Sequence, residues 1–126
     1  MLHQQKGAGV LLFREPKTQE RYHEYLKKKN PEECYLCVAP ALKEFAFWRL
    51  LVDSFPYDRI AKTHHLLTPR RHANEHELTP AEYTELYAIK LLMENDYDTF
   101  LENTERLRSI PGHFHVHAIK LIDAVN

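Results

Sequence analysis

His113-Phe114-His115-Val116-His117-Ala118-Ile119 decides how this chain is read. Imidazole and apolar side chains alternate with a period of two, the repeat of a β-strand whose successive residues point to opposite faces. Side chains on one face lie about 6.6–6.8 Å apart, so the three histidines form a ladder with the ring of His115 flanked on both sides. Three readings stand open on these residues alone. The ladder is a half-buried strand with an accidental histidine face; or a metal site, since two histidines at i and i+2 can ligate one ion; or a site of phosphoryl-group chemistry. Neutral imidazole is a competent nucleophile near pH 7, and neighbouring rings can fix its tautomer. Seven of the nine histidines fall in two clusters, 64–76 and 113–117, which weighs against accident.

Working outward, Pro111-Gly112 marks a turn before the ladder, and about Tyr97 to Glu102 reads as a strand. Thr79-Pro80-Ala81-Glu82 carries an N-cap, a proline at the first helical position and a glutamate three residues after the cap, the pattern of a reciprocal capping box. Tyr83, Leu86, Ile89 and Met93 follow at near-helical spacing as the expected buried stripe of a helix that fades near Asn95. Earlier, the apolar even positions Ala46, Trp48, Leu50 and Val52 predict a strand over Phe45 to Val52 with one buried face. Ser54 to Asp58 reads as its turn, and His64 to Thr68 as a second strand closed by Pro69. The order strand, strand, helix, strand, strand predicts an α+β domain, an antiparallel β-sheet with packed helices.

That domain is expected over residues 34–126, with residues 1–33 as an N-terminal extension. Within the extension, Thr18 is the expected cap of a helix running to about Lys29, with Tyr22 and Leu26 stacked at i, i+4 and three lysines at its negative end. Asn30-Pro31 stops it. A chain of 126 residues has room for one such domain. Lysine plus arginine number 17 against 18 acidic residues, so there is no whole-protein field to hold duplex nucleic acid or an anionic membrane. Any bound anion must be gripped locally. The longest apolar run, Gly7 to Phe13, is far short of the roughly 18 residues of a membrane span and lacks the flanks of a signal peptide. A cytoplasmic location is the expectation.

The two cysteines stand in Cys34-Tyr35-Leu36-Cys37. A two-residue gap is shared by redox pairs and zinc half-sites, and a pair of buried unpaired thiols is the third possibility. A redox pair is expected beside a βαβ pattern, which this sequence lacks. Zinc needs two further ligands, which histidines can supply.

Taken together, Lys62-Thr63-His64-His65-Leu66-Leu67-Thr68-Pro69-Arg70-Arg71-His72 and the later alternating triad resemble the histidine triad (HIT) family. The resemblance runs from Cys34 to Ile119, about two thirds of the chain. It implies a nucleotide hydrolase or transferase on an antiparallel sheet with helices, commonly a homodimer. It implies that His115 attacks an α-phosphate to form a nucleotidyl-histidine intermediate, with His117 and His64 as supporting histidines. In zinc-carrying members the metal positions match Cys34, Cys37, His72 and His113 here, which favours structural zinc over a redox pair. His65 and His76 have no family role and are expected to be ordinary surface or packing histidines.

The family's ribose-binding acid, three residues ahead of a proline, corresponds to Asp53 before Pro56, and its asparagine near the end of the preceding strand to Asn103. Both residue types are also common in turns. Phe45, Phe47 and Trp48 offer aromatic faces for a base or for the core. Where the family places a Gly-Gln-Ser type phosphate loop, this chain has Arg106-Leu107-Arg108-Ser109-Ile110-Pro111-Gly112, so Ser109, Arg106 and Arg108 become the expected phosphate contacts. The Ser54 to Thr63 connection is also longer than usual. Two function classes follow: an enzyme acting through His115, or a catalytically slow nucleotide- or RNA-end-binding module on the same fold.

Overall fold

The computed structural model describes residues 13–105, 110 and 112–123. Among the described residues there are three helices, α1 (Pro16–Lys28), α2 (Tyr35–Val38) and α3 (Pro80–Leu92), with a 3-10 turn at Glu75–Glu77. Strands β1 (Lys43–Glu44), β2 (Trp48–Val52), β3 (Ala61–Pro69), β4 (Thr99–Leu101) and β5 (Val116–Leu121) form one sheet in the order β1-β2-β3-β5-β4, every pair antiparallel. The fold is the α+β, antiparallel class that the element order predicts. No helix among the described residues is long and apolar enough to cross a membrane.

Each face of the sheet is covered by something different, because pairing fixes which residues share a face. Trp48, Leu50, Leu67, Val116 and Ala118 face α3 and pack with Leu86, Ile89, Met93 and Phe114. Trp48 and Phe114 are fully buried and meet edge to face at 6.2 Å; burying side chains of this size is worth about 1.5–3 kcal/mol each. On the opposite face Leu51 and Leu66 pack with Leu36 and Ala39 of the α2 segment. Arg49 on that face donates to the carbonyls of Leu36 and Ala39, satisfying the end of α2. His64, Leu66 and His117 share this second face.

Several local expectations are corrected. The stretch from Phe45 to Val52 is not one strand. Its start folds into a hairpin turn between β1 and β2, where the Glu85 carboxylate accepts the amides of Ala46 (3.1 Å) and Phe47 (2.6 Å), so those groups leave the sheet. The histidine ladder joins the sheet only at Val116, because the Phe114 amide bonds the carbonyl of Ala73 instead of β3. β3 begins at Ala61, extended by its pairing with Leu121, and the strand expected at 97–102 is limited to Thr99–Leu101.

In α3 the capping box forms as expected, with Thr79 Oγ1 accepting from the Glu82 amide (3.2 Å) and Glu82 Oε1 from the Thr79 amide (2.8 Å). The buried stripe, however, is Glu82, Leu86, Ile89 and Met93, while Tyr83 is 42% exposed. Glu82 is drawn inward by the box and by a bidentate pair with Arg71 at 3.0 and 2.8 Å. That hydrogen-bonded pair, against the opposing effect of burial, holds the Glu82 carboxyl down at about 2.

α1 starts two residues before Thr18, with Glu15 as N-cap and Pro16 in its first turn. Its cap comes from far along the chain: Asp58 accepts from the Glu15 amide (2.7 Å) and from the Thr18 hydroxyl. This is what the long Ser54 to Thr63 connection does structurally; it docks α1 beside the second face of the sheet.

Candidate active site

β3 and β5 pair His64 with Ile119 and Leu66 with His117, so His64 and His117 are diagonal neighbours on one face, within mutual reach. Their ring centroids are 5.0 Å apart, and both rings are buried. The hydrogen-bond partners fix the tautomers. The backbone N–H of Tyr57 donates to His64 Nδ1 (2.9 Å), so the ring proton of neutral His64 is on Nε2. From there it is donated to His117 Nδ1 (2.8 Å), with Asp53 Oδ2 3.3 Å away as a second acceptor. His117 then carries its proton on Nε2, facing the Tyr57 hydroxyl at 3.4 Å. The Asn103 amide donates to that hydroxyl (2.9 Å), and the Tyr57 ring stacks on His117 with centroids 4.8 Å apart.

His115 sits beside this pair, its ring 5.1 Å from that of His117 and nearly perpendicular to it. Its Nδ1–H donates to the carbonyl of His113 (3.1 Å), which leaves the lone pair on Nε2. Desolvation is the main cause that depresses the basicity of its neighbours. It brings His64 down to about 4, against the Asp53 carboxylate and with help from the Arg14 charge, and pushes His117 well below 6.5. Both rings are neutral at pH 7, so the His64–Asp53 contact is a hydrogen bond and not an ion pair.

Cys34, Cys37, His72 and His113 form a second cluster, in which their ligand atoms all lie within 4.8 Å of one another. Cys37 Sγ is 3.3 Å from His72 Nδ1, and both sulfurs are 3.4 Å from His113 Nδ1. A tetrahedral ion with Zn–S of about 2.3 Å and Zn–N of about 2.0–2.1 Å sets sulfur and nitrogen about 3.6 Å apart, so these four residues fit a metal. His113 also has the outer partner a ligating histidine needs: Nε2 faces the Pro69 carbonyl at 2.9 Å, leaving Nδ1 free to bind. Without a cation, burial and the neighbouring Cys34 thiol push the Cys37 thiol up to about 11, so metal binding displaces a proton there. Asp53, His64 and His117 also converge, but nitrogens bound to one tetrahedral ion lie about 3.3 Å apart. The 2.8 Å found between His64 and His117 suits a shared proton.

A cavity of about 330 Å³ opens over His115, at the lower end of the range for small-molecule sites. Asp53, Phe55, Tyr35 and Ile110 line it, and Arg14, Tyr22 and Tyr25 come from the α1 segment. Its aromatic wall is therefore tyrosine and Phe55. Trp48 and Phe45 belong to the core under α3, and Phe47 lies in the exposed β-hairpin turn, so none of these three lines it.

The structure thus gathers His64, His115, His117, Asp53 and Asn103 in one place and Cys34, Cys37, His72 and His113 in another. Arg106, Arg108 and Ser109 lie outside the described residues. His65 bonds the Tyr97 hydroxyl (2.6 Å) on the α3 side of the sheet. Two site residues escape sequence reasoning. Tyr57 stands in a turn with no periodicity around it, four residues after Asp53, and that proximity was its only signal. Arg14 precedes a helix and had none.

No protein-family model matches the chain, and no curated protein matches it in sequence. Among solved structures, a histidine triad protein from Clostridium difficile is similar in fold, with a TM-score of 0.53 and 17% identity, covering 78% of this chain and 97% of that one. The fold is therefore histidine-triad-like.

Proposed function

We propose that this protein is a nucleotide hydrolase or nucleotidyl transferase that cleaves at an α-phosphate through a covalent nucleotidyl-histidine intermediate on His115. The observation that carries the reading is the fixed tautomer of His115, whose Nδ1–H is held by the His113 carbonyl while Nε2 keeps its lone pair beside a nucleotide-sized cavity. Nε2 attacks phosphorus, the bond to the leaving group breaks, and the leaving group takes a proton. The hydrogen-bonded His64–His117 pair supplies it: an anionic phosphate raises the proton affinity of these otherwise neutral rings, and the proton passes on as the leaving group departs. Water or a second nucleophile then attacks the phosphorus, giving its proton back to the His64–His117 pair, and the electron pair of the Nε2–P bond returns to Nε2.

Asp53 keeps lone pairs for the ribose hydroxyls beyond those used by Phe55 N–H (2.8 Å) and His64. Asn103 orders Tyr57 and with it the ring of His117. Structural zinc is the metal proposed for Cys34, Cys37, His72 and His113; when bound it fixes His113, whose carbonyl orients His115. A homodimer is proposed as well, supported by the open edge of β4 and by exposed Tyr87, Leu91 and Leu92 on α3.

The test is incubation with nucleoside phosphoramidates, dinucleoside polyphosphates and nucleotide sugars, a non-acidic rapid quench, and mass spectrometry of the peptide carrying His115. A nucleotidyl adduct there, with retention at phosphorus over the full reaction, is expected. Tight nucleotide binding without an adduct would instead make the chain a binding module.

A further inference from the structure

We infer that Arg14 is a phosphate-binding residue of this cavity, its guanidinium gripping phosphoryl oxygens of the nucleotide that His115 attacks. The inference rests on the function proposed above and assigns to the segment ahead of α1 a contact otherwise expected only from the loop before the triad.

Arg14 is 4% exposed, yet among the described residues no carboxylate lies within ion-pair distance of it. Arginine is rarely buried unless its charge is matched. Here the head group is held by neutral partners. Nε donates to the Phe55 carbonyl (2.7 Å), Nη1 donates to Gln19 Oε1 (3.2 Å), and the guanidinium carbon lies 4.4 Å from the ring centroid of Tyr22 and 5.0 Å from that of Tyr57. Gln19 is itself fixed by a contact of 2.9 Å to His23. These contacts orient the guanidinium without neutralising it.

Five N–H donors are available on the fork, and two are spent. Among the described residues Nη2 has no protein partner and no fully buried polar side-chain atom lacks one, so Nη2 keeps some exposure, and Arg14 is one of the residues that line the cavity. That cavity is the one that His115 and Asp53 line. A planar, charged fork with donors to spare and no carboxylate within ion-pair distance matches the paired oxygens of a phosphate. The same positive charge disfavours protonation of His64 and His117, which places it within electrostatic reach of both rings.

The full chain is titrated with inorganic phosphate and inorganic pyrophosphate by calorimetry, alongside Arg14→Gln and Arg14→Lys. Pyrophosphate binding to the wild type is expected to weaken at least tenfold in Arg14→Gln and less in Arg14→Lys, which keeps the charge but not the fork. Should Arg14→Gln fail to fold, the side-chain 15N resonances of Arg14 in the wild type give the answer, since they must shift with the same concentration dependence as the heat. A folded Arg14→Gln that binds pyrophosphate like the wild type, a wild type that binds none, or unmoved Arg14 resonances would each overturn the assignment. Pyrophosphate held by Arg14 without any nucleotidyl adduct on His115 would leave Arg14 standing and remove the catalytic proposal. An adduct that forms equally fast in Arg14→Gln would do the reverse.

Discussion

His64 and His117 are joined by one hydrogen bond of 2.8 Å between Nε2 of the first and Nδ1 of the second, and the direction of that bond is set from outside the pair. The Tyr57 amide occupies the far nitrogen of His64, so the ring proton sits on Nε2, donated to His117 at 2.8 Å with Asp53 3.3 Å away as a longer second acceptor. Two rings from two strands therefore behave as one neutral, oriented unit.

A neutral buried pair makes stability depend on pH. Burial lowers His64 from 6.5 to about 4 and lowers His117 as well, so below pH 6.5 the unfolded chain binds protons that the folded one refuses. This contribution is complete above pH 6.5 and is lost as pH falls through about 4; for His64 alone the shift corresponds to about 3 kcal/mol. Urea midpoints should hold from pH 8 to about 6.5 and fall from there to pH 4.5, and His64→Gln should flatten part of that slope. A midpoint indifferent to pH over that range would contradict the neutral pair.

One metal ion per chain is expected on Cys34, Cys37, His72 and His113. X-ray absorption should give sulfur neighbours at about 2.3 Å and nitrogen neighbours at about 2.0–2.1 Å. Cys34→Ser or a strong chelator should release the ion and lower the melting temperature. A metal-free preparation as stable as the original would count against a structural role.

Gly112 has φ of +82°, and a Cβ built on it would stand 3.3 Å from His72 Nε2. Gly112→Ala therefore combines backbone strain of about 1–2 kcal/mol with pressure on a metal-binding ring. Thermal melts of the metal-loaded and metal-stripped variant should both fall, the loaded form by more. Equal losses would confine the effect to the backbone.

Asp53 serves two masters within the fold, the Phe55 amide and His64. A charge-assisted contact to ribose is worth about 1.5–3 kcal/mol, so Asp53→Ala should weaken ribonucleotide binding roughly ten- to a hundredfold. The deoxyribonucleotide should lose less. Calorimetry with both sugars decides it, and equal losses would show that Asp53 acts only through the loop and His64.

Loss of the attacking ring should exceed loss of either supporter. Single-turnover rates should drop on the order of 10³-fold or more in His115→Ala, against about 10²-fold in His64→Gln or His117→Gln. Near-normal turnover in His115→Ala would remove the covalent mechanism.

The capping box at Thr79 was legible because it is made by residues three apart in one helix. Glu82 in the buried stripe was not, because its partner Arg71 comes from outside the helix. The same holds for the break at Phe45 to Phe47, where Glu85 takes two amides that periodicity assigns to a strand.

By itself, the sequence determined which chemistry is present: alternation places histidines on one face of a strand, and thiols two residues apart prepare half of a metal site. Only tertiary structure decided how those groups are used. The tautomer of His64 depends on an amide seven residues away, His117 on a ring and an amide from two other segments, and the charge of Arg14 on its docking against Tyr57. Hydrogen-bond direction and burial are set by neighbours distant along the chain, and no local pattern of residues encodes them.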